Sequence, residues 1–326
     1  MDIKQLIKKI RKFFNKRNIL IICAVFAAAV ILAVIIPVSA KQKPVIWYVD
    51  EALEKNWGQI LADYNPPSQA NIVQVWDGIT LPQEEGMVIS FKPWVETQEI
   101  VKVFHRLSWE LEHDGAHVLA VDPWMIFNKH TNPPITYERI SGSGGRGVIL
   151  IPGRDIEAVR AWSSRFIQEK PGSFPQGNGI WKTWESKIFD TGLFSPGMRG
   201  YDWNAVFFRL MGADQAWLYA PISKIRGYRD PRKSILEASP FPQQGGIEAS
   251  MLAKILWALP VKSASGKTQK TINNVLTWLK SPEIQTVIAD SMDMIPADPY
   301  GTPYDPVSLT THRLWLTTVW IYSIYE

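Results

Sequence analysis

Eighteen consecutive residues, Ile19 to Ile36, carry no charge. A run of that length approaches the roughly 20 apolar residues that a helix needs to cross a bilayer. Seven basic residues precede it (Lys4, Lys8, Lys9, Arg11, Lys12, Lys16 and Arg17), and only Lys41 and Lys43 follow closely. Positive charge collects on the cytoplasmic side of a membrane segment, so the N-terminus is expected to stay inside and the rest of the chain to be exported. Between those bases, Ile3, Leu6, Ile7, Ile10, Phe13 and Phe14 recur at helical spacing, which suits an anionic inner leaflet. Pro37-Val38-Ser39-Ala40 resembles a signal-peptidase site, but the apolar run exceeds the roughly 7–15 residues usual in a signal peptide. The favoured expectation is therefore a retained anchor. Cleavage after Ala40 would secrete the body instead. This divides the chain into a basic cytoplasmic segment (1–18), a transmembrane anchor or signal peptide (19–40) touching the inner membrane through 19–36, and a periplasmic body (41–326).

The formal net charge of +4 misleads until it is divided along the chain. Residues 41–326 hold 28 basic and 30 acidic residues, a net of −2. Such a body has no general footprint for nucleic acid, and none is expected as a partner. The chain is 46% hydrophobic, which excludes a disordered polymer. Its single cysteine, Cys23, lies in the apolar run, so the body can form neither a disulfide framework nor a Cys-based zinc site. A lipoprotein signal would want a small residue at Ile22, and Cys23 reads as one more lipid-facing apolar side chain.

From Lys41 onward, short apolar runs alternate with amphipathic stretches. Strands are expected at Pro44–Val49, Asn71–Trp76, Gly86–Phe91 and His117–Val121, with helices at Leu53–Tyr64 and Glu99–Glu112. That order argues for an α/β unit with parallel strands. Further on, the pattern predicts a strand at Val148–Ile151 and a helix at Ile156–Gln168. Helices are also expected at Ile180–Phe189 and Trp203–Met211, with strands at Ala216–Ala220 and Ile235–Ala238. Lys254–Val261 is apolar, and Lys267–Lys280 is a helix with Ile272, Val275, Leu276 and Leu279 on one face. Ser281-Pro282 begins another helix, serine suiting the N-cap and proline the first helical position.

Several motifs read as structure rather than chemistry. Gly142 to Gly147 matches a dinucleotide-binding glycine pattern, but a strand follows it where a helix is required. His113 and His117 stand four apart, yet Asp114-Gly115 breaks a helix between them. Glu110 and Glu112 would point to different helix faces, and their cluster with Asp114 reads as a solvated surface. Gly266-Lys267-Thr268 lacks the upstream glycine of a phosphate loop. No metal or cofactor is expected.

Three stretches carry a resemblance. Thr271 to Gln285, continuing to Met294-Ile295-Pro296-Ala297, has a Trp-Leu, Ser-Pro-Glu and Gln pattern across a late helix pair. Val121 to Lys129 is an apolar strand ending in Phe127-Asn128-Lys129. Gly212 to Leu218 is a small-residue stretch, followed by Ser239-Pro240-Phe241-Pro242. In order and spacing these resemble the extracellular (periplasmic) solute-binding proteins of ABC importers, in their sugar-binding branch, over most of residues 44–297. The resemblance implies an α/β, two-lobed periplasmic-binding-protein-like fold with a hinge, here preceded by one N-terminal transmembrane helix. It implies lobes of about 44–125 with 250–297, and about 126–249 with 298–326. It also implies capture of a small solute between the lobes by hinge closure, for an ABC permease or a sensor, with no catalysis. At 286 residues the exported part is shorter than usual for that branch.

A sugar ligand asks for aromatic faces and hydrogen-bonding carboxylates at strand ends. Candidates are Trp47, Asp50, Trp76, Asp77, Trp94, Asp122, Trp124, Tyr201, Asp202 and Trp203. Trp57, Trp109, Trp162, Trp257 and Trp278 lie within elements and are expected in the core. Two other readings stay open: a carbohydrate-active enzyme with a Trp-lined cleft, and a degenerate binding fold serving as an envelope interaction module.

Overall fold

Alternation of faces along the strand Val45–Val49 (β1) shows how the sequence builds this protein. Val45, Trp47 and Val49 enter one apolar cluster, while Tyr48 enters another on the opposite face of the sheet. In the computed structural model the described residues are 44–326, except 69, 79, 92–104, 107–111, 114–115, 133–134, 137–148, 168–188, 190–193, 243–249, 262–265, 318–319 and 323–326. The expected membrane span, the basic segment, Trp94, Trp109, the helix expected at 180–189 except Phe189, and the glycine-rich loop at 142–147 lie outside them. No helix among the described residues is long and apolar enough to cross a membrane.

The remaining strands are β2 (Asn71–Val75), β3 (Gly86–Ser90), β4 (His105–Arg106), β5 (Glu112–His113), β6 (Ala116–Lys129), β7 (Ile149–Leu150), β8 (Trp217–Pro221), β9 (Leu236–Ser239), β10 (Ser250–Val261), β11 (Ile295–Pro296) and β12 (Trp320–Tyr322). The helices are α1 (Glu54–Asp63), α2 (Ile156–Ile167), α3 (Trp203–Gly212), α4 (Ile222–Gly227), α5 (Gly266–Leu279), α6 (Pro282–Ser291) and α7 (Pro306–Thr317). The strands form one hydrogen-bonded sheet whose main path runs β2-β1-β3-β10-β6-β8-β7. Strands β1, β2 and β3 are mutually parallel, as are β7 and β8, while β10 and β6 run antiparallel to each other and to their outer neighbours β3 and β8.

Strands β6 and β10 span 14 and 12 residues, about twice the usual strand length, and this length joins two cores. On β6, Leu119 and Ala120 pack with β1, β3, α1, α5 and α6 in the first cluster. Val121 and Trp124 to Phe127 pack with β7, β8, α2 and α3 in the second. Strand β10 switches in the same place, with Leu256 and Ala258 in the first cluster and Leu252 and Ala253 in the second. Each chain segment thus changes core at the same crossing.

Two expectations fail in detail. The helix expected at Glu99–Glu112 is not formed at its described positions, because His105–Arg106 pairs with β12 and Glu112–His113 with β6. The second pairing sets Glu112 opposite His117 and His113 opposite Ala116, so the two histidines lie on different strands. Ser281 is the N-cap of α6 by backbone, but its hydroxyl donates to the Trp278 carbonyl at 2.9 Å and not into the helix.

Candidate functional site

The sheet register sets where a ligand can be met. Ser90 of β3 pairs with Trp257 of β10, so β3 and its parallel neighbour β1 end pointing at the middle of β10. Pro221 of β8 pairs with Trp124 of β6, so β8 and β7 end pointing at the middle of β6 from the other side. The carboxyl ends of both parallel sets therefore converge on the core-switching crossing. In open α/β sheets the carboxyl ends of strands are where ligands bind.

Asp122 and Lys254 face each other at that crossing, as register partners on β6 and β10. Directly opposed residues share one face of a sheet. Asp122 is buried, and its two oxygens accept hydrogen bonds from Ser223, one from the backbone N–H at 2.9 Å and one from Oγ at 2.7 Å. Burial pushes its carboxyl up to about 6, against the opposing pull of the Ser223 hydrogen bonds and the Lys254 charge, while Glu157 adds a weaker upward push. Lys254 is half-buried, with Nζ 5.0 Å from the centroid of the Phe91 ring.

At the β1 end, Asp50 is buried and ties two strands together. Ser90 Oγ donates to both of its oxygens at 2.9 Å, and the Phe91 N–H donates at 2.7 Å. On the second side, Asp155 precedes α2 and caps it, accepting from the N–H groups of Glu157 at 2.9 Å and Ala158 at 3.2 Å. Its other oxygen accepts from Trp203 Nε1 at 2.6 Å. Lys224 Nζ lies 5.5 Å from the Trp203 ring centroid. Asp202 caps α3 through Ala205 N–H at 2.9 Å. The Arg209 guanidinium lies 5.1 Å from the centroid of the Tyr201 ring. Gly153, just before Asp155, has no room for a side chain, since a Cβ there would stand 2.4 Å from the Met198 carbonyl.

Of the ten candidates, Asp50, Asp122, Tyr201, Asp202 and Trp203 lie on the segments that converge here. Trp47, Trp76 and Trp124 are buried in the clusters, where no ring face is open to a solute. Trp47 packs 5.5 Å from Trp57 and donates to Asn71 Oδ1 at 2.9 Å. Trp76 meets Trp257 edge-on at 6.2 Å, and Trp124 lies 5.4 Å from Tyr219. The reason is that β1 and β6 are covered on both faces over most of their length, while Trp76, just after β2, is held by its Nε1 donating to the Thr80 carbonyl at 2.7 Å. Asp77 is exposed on the loop after β2, where its carboxylate takes a 3.4 Å contact from the Thr80 N–H. Trp94 lies outside the described residues.

Lys254, Ser223, Phe91 and Asp155 were not singled out from the sequence. A single charge inside the apolar run Met251 to Leu259 is a signal for Lys254, and Asp155 directly before a helical pattern is a capping signal. Ser223 has no such signal, since only the tertiary fold brings it to Asp122.

Among the described residues, no group of three or more His, Cys, Asp or Glu stands ready to hold a metal. Arg226 forms a bridge away from the crossing. It lies on α4, whose Ile222 and Ile225 belong to the second cluster, and its guanidinium reaches the end of α6, which packs on the first. It donates to the carbonyls of Met294 and Ala289, and pairs with Asp290 and with Asp305 (3.2 Å for the last).

No protein-family model matches the chain, and no curated protein sequence does. Solved structures share its fold. A putative binding protein MsmE from Bacillus subtilis superposes with a TM-score of 0.59 at 9% identity, over 87% of this chain and 88% of that one. The bacterial solute receptor AcbH, described with an exclusive preference for β-D-galactopyranose, gives 0.56 at 12% identity over 87% and 88%. A cyclic α-maltosyl-1,6-maltose binding protein from Arthrobacter globiformis gives 0.54 at 11% identity, again over 87% and 88%. The chain thus has the mixed α/β fold of periplasmic binding proteins.

Proposed function

We propose that this chain is a solute-binding protein that captures a small saccharide at the β6–β10 crossing and delivers it to an ABC permease or reports it to a sensor. One observation carries the reading: strand carboxyl ends from both apolar clusters converge on Asp122 and Lys254. The two clusters support two lobes, one built on residues 45–120 and 256–294 and the other on 121–253 and 295–315. Strands crossing between them make a hinge, and closure about it would sequester the solute. The fold shared with AcbH and the cyclic α-maltosyl-1,6-maltose binding protein supports the saccharide.

The same geometry disfavours a glycosidase. Such an enzyme needs two carboxylates about 5–10 Å apart with free oxygens toward the substrate. Here Asp50, Asp122 and Asp155 each spend both oxygens on internal donors. Residues 19–36 would tether the protein to the inner membrane with the body in the periplasm. This attachment rests on the uncharged run and its basic flank.

A thermal-shift screen of the full chain in detergent against sugars, amino acids and polyamines tests the reading. A ligand that binds the native state raises its stability. At least one saccharide is expected to raise the unfolding temperature. Cooperative unfolding unmoved by every solute would contradict the proposal.

A further inference from the structure

The polar groups at the crossing are unevenly used. Asp50, Asp122 and Asp155 have their oxygens taken by Ser90, Phe91, Ser223, Glu157, Ala158 and Trp203. Lys254 is the reverse case. Its ammonium carries three N–H donors, yet it makes neither a hydrogen bond nor an ion pair with any described residue. Asp122, its cross-strand partner, is drawn to Ser223 instead. The Phe91 ring supplies Lys254 with a cation–π contact alone. Such a contact offers no acceptor for the N–H groups, which leaves them to water or to a ligand.

This imbalance bears on the solute. A neutral sugar presents hydroxyls that need acceptors from the protein, and Asp50, Asp122 and Asp155 already hold two or three internal donors each. What the crossing offers is a positive donor beside a ring. Hydrogen bonds between an ammonium and an oxyanion are roughly twice as strong as neutral ones. We infer that Lys254 Nζ is the recognition point for an oxyanion on the solute, a carboxylate or a phosphate, so that the site takes an acidic saccharide in preference to the neutral sugar. Lys224, lying over the Trp203 ring on the second side, offers another ammonium with no described carboxylate partner. The inference rests on the solute-binding reading and narrows its substrate class.

Calorimetric titration of the full chain in detergent would use D-galactose, D-galacturonate and D-galactose 1-phosphate, with the matching glucose series. One acidic sugar is expected to bind at least roughly tenfold more tightly than its parent hexose, a difference of about 1.4 kcal/mol. Whichever acid wins identifies the carboxylate or the phosphate as the group read. Lys254→Met is expected to erase that preference in a chain that still unfolds cooperatively, and Lys254→Arg to keep part of it. If the wild-type chain binds parent hexoses as tightly as both acids, the role of Lys254 is overturned while solute binding stands. If a cooperatively folded chain binds none of the six, the role of Lys254 falls, and the solute-binding reading falls with it only if no solute of the thermal-shift screen stabilises the chain.

Discussion

Ser223 gives Asp122 two hydrogen bonds, from its backbone N–H at 2.9 Å and its hydroxyl at 2.7 Å, and so fastens α4 to the middle of β6. The pair lies where β6 passes from one apolar cluster to the other. Ser223→Ala removes one donor to a buried carboxylate. A hydrogen bond to a charged group contributes about 1.5–3 kcal/mol. Urea unfolding at pH 7 is expected to show a loss of that order, and a loss near zero would place the hydroxyl in solvent.

The titration of Asp122 gives a pH signature. Burial raises its folded-state value from the ordinary 3.8 to about 6, so the folded protein favours the protonated acid. The stability this supplies is complete below the unfolded value and is lost as pH rises through about 6. His312 acts in the opposite sense. Burial holds its value below the ordinary 6.5, so its contribution is lost as pH falls. Comparing wild type with Asp122→Asn cancels the His312 part. The wild type is expected to lose stability relative to the variant between pH 4 and 7, with a ceiling near 1.4 kcal/mol per pH unit. Parallel pH profiles for the two proteins would contradict the assignment.

Arg226 makes a different kind of link, from α4 to α6 and to Asp305 at the start of α7. Its removal strands the Met294 carbonyl and leaves Asp290 and Asp305 unneutralised. Arg226→Ala is expected to cost about 2–4 kcal/mol in urea unfolding. Arg226→Lys should recover less than half, because one ammonium cannot span a fork of carbonyl and carboxylate acceptors. Full recovery by lysine would show that charge alone matters there.

Two tryptophans separate packing from recognition. Trp47 is fully buried against Trp57 and Trp278, and Trp47→Ala is expected to cost about 3–5 kcal/mol in stability. Trp203 is only partly buried, anchored by its hydrogen bond to Asp155. Trp203→Ala is expected to cost under about 2 kcal/mol, yet to weaken saccharide binding in calorimetry. Equal stability losses at the two positions would contradict this division.

The chain's periodicity shows most of its elements. The strands at β1, β2 and β3, and the helices at α2, α3, α5 and α6, lie within a few residues of where hydrophobic spacing and capping residues put them. The long crossing strands are legible only in part. His117–Val121 and Val121–Lys129 read as separate features, because no local signal tells that one strand serves two cores. The region 99–112 misleads because its residues have helical spacing, while backbone pairing with β6 and β12 decides its described parts. At the site, Asp50 and Asp122 were legible as polar residues ending apolar runs. Trp47 and Trp124 stand near them in sequence, but both faces of β1 and β6 are covered there, and those rings lie in the apolar clusters. Ser223 reaches Asp122 across 101 residues, a distance that spacing does not encode.

The central claim is that the two clusters close on a solute about the β6–β10 crossing. It is tested most directly by pulsed electron paramagnetic resonance on the full chain with Cys23→Ser and spin labels at Lys55→Cys on α1 and Arg229→Cys beyond α4. Both sites are exposed, and they lie on elements of different clusters. Addition of the saccharide that most raises the unfolding temperature is expected to shift and narrow the distance distribution. A distribution unchanged at saturating saccharide would contradict closure about this hinge.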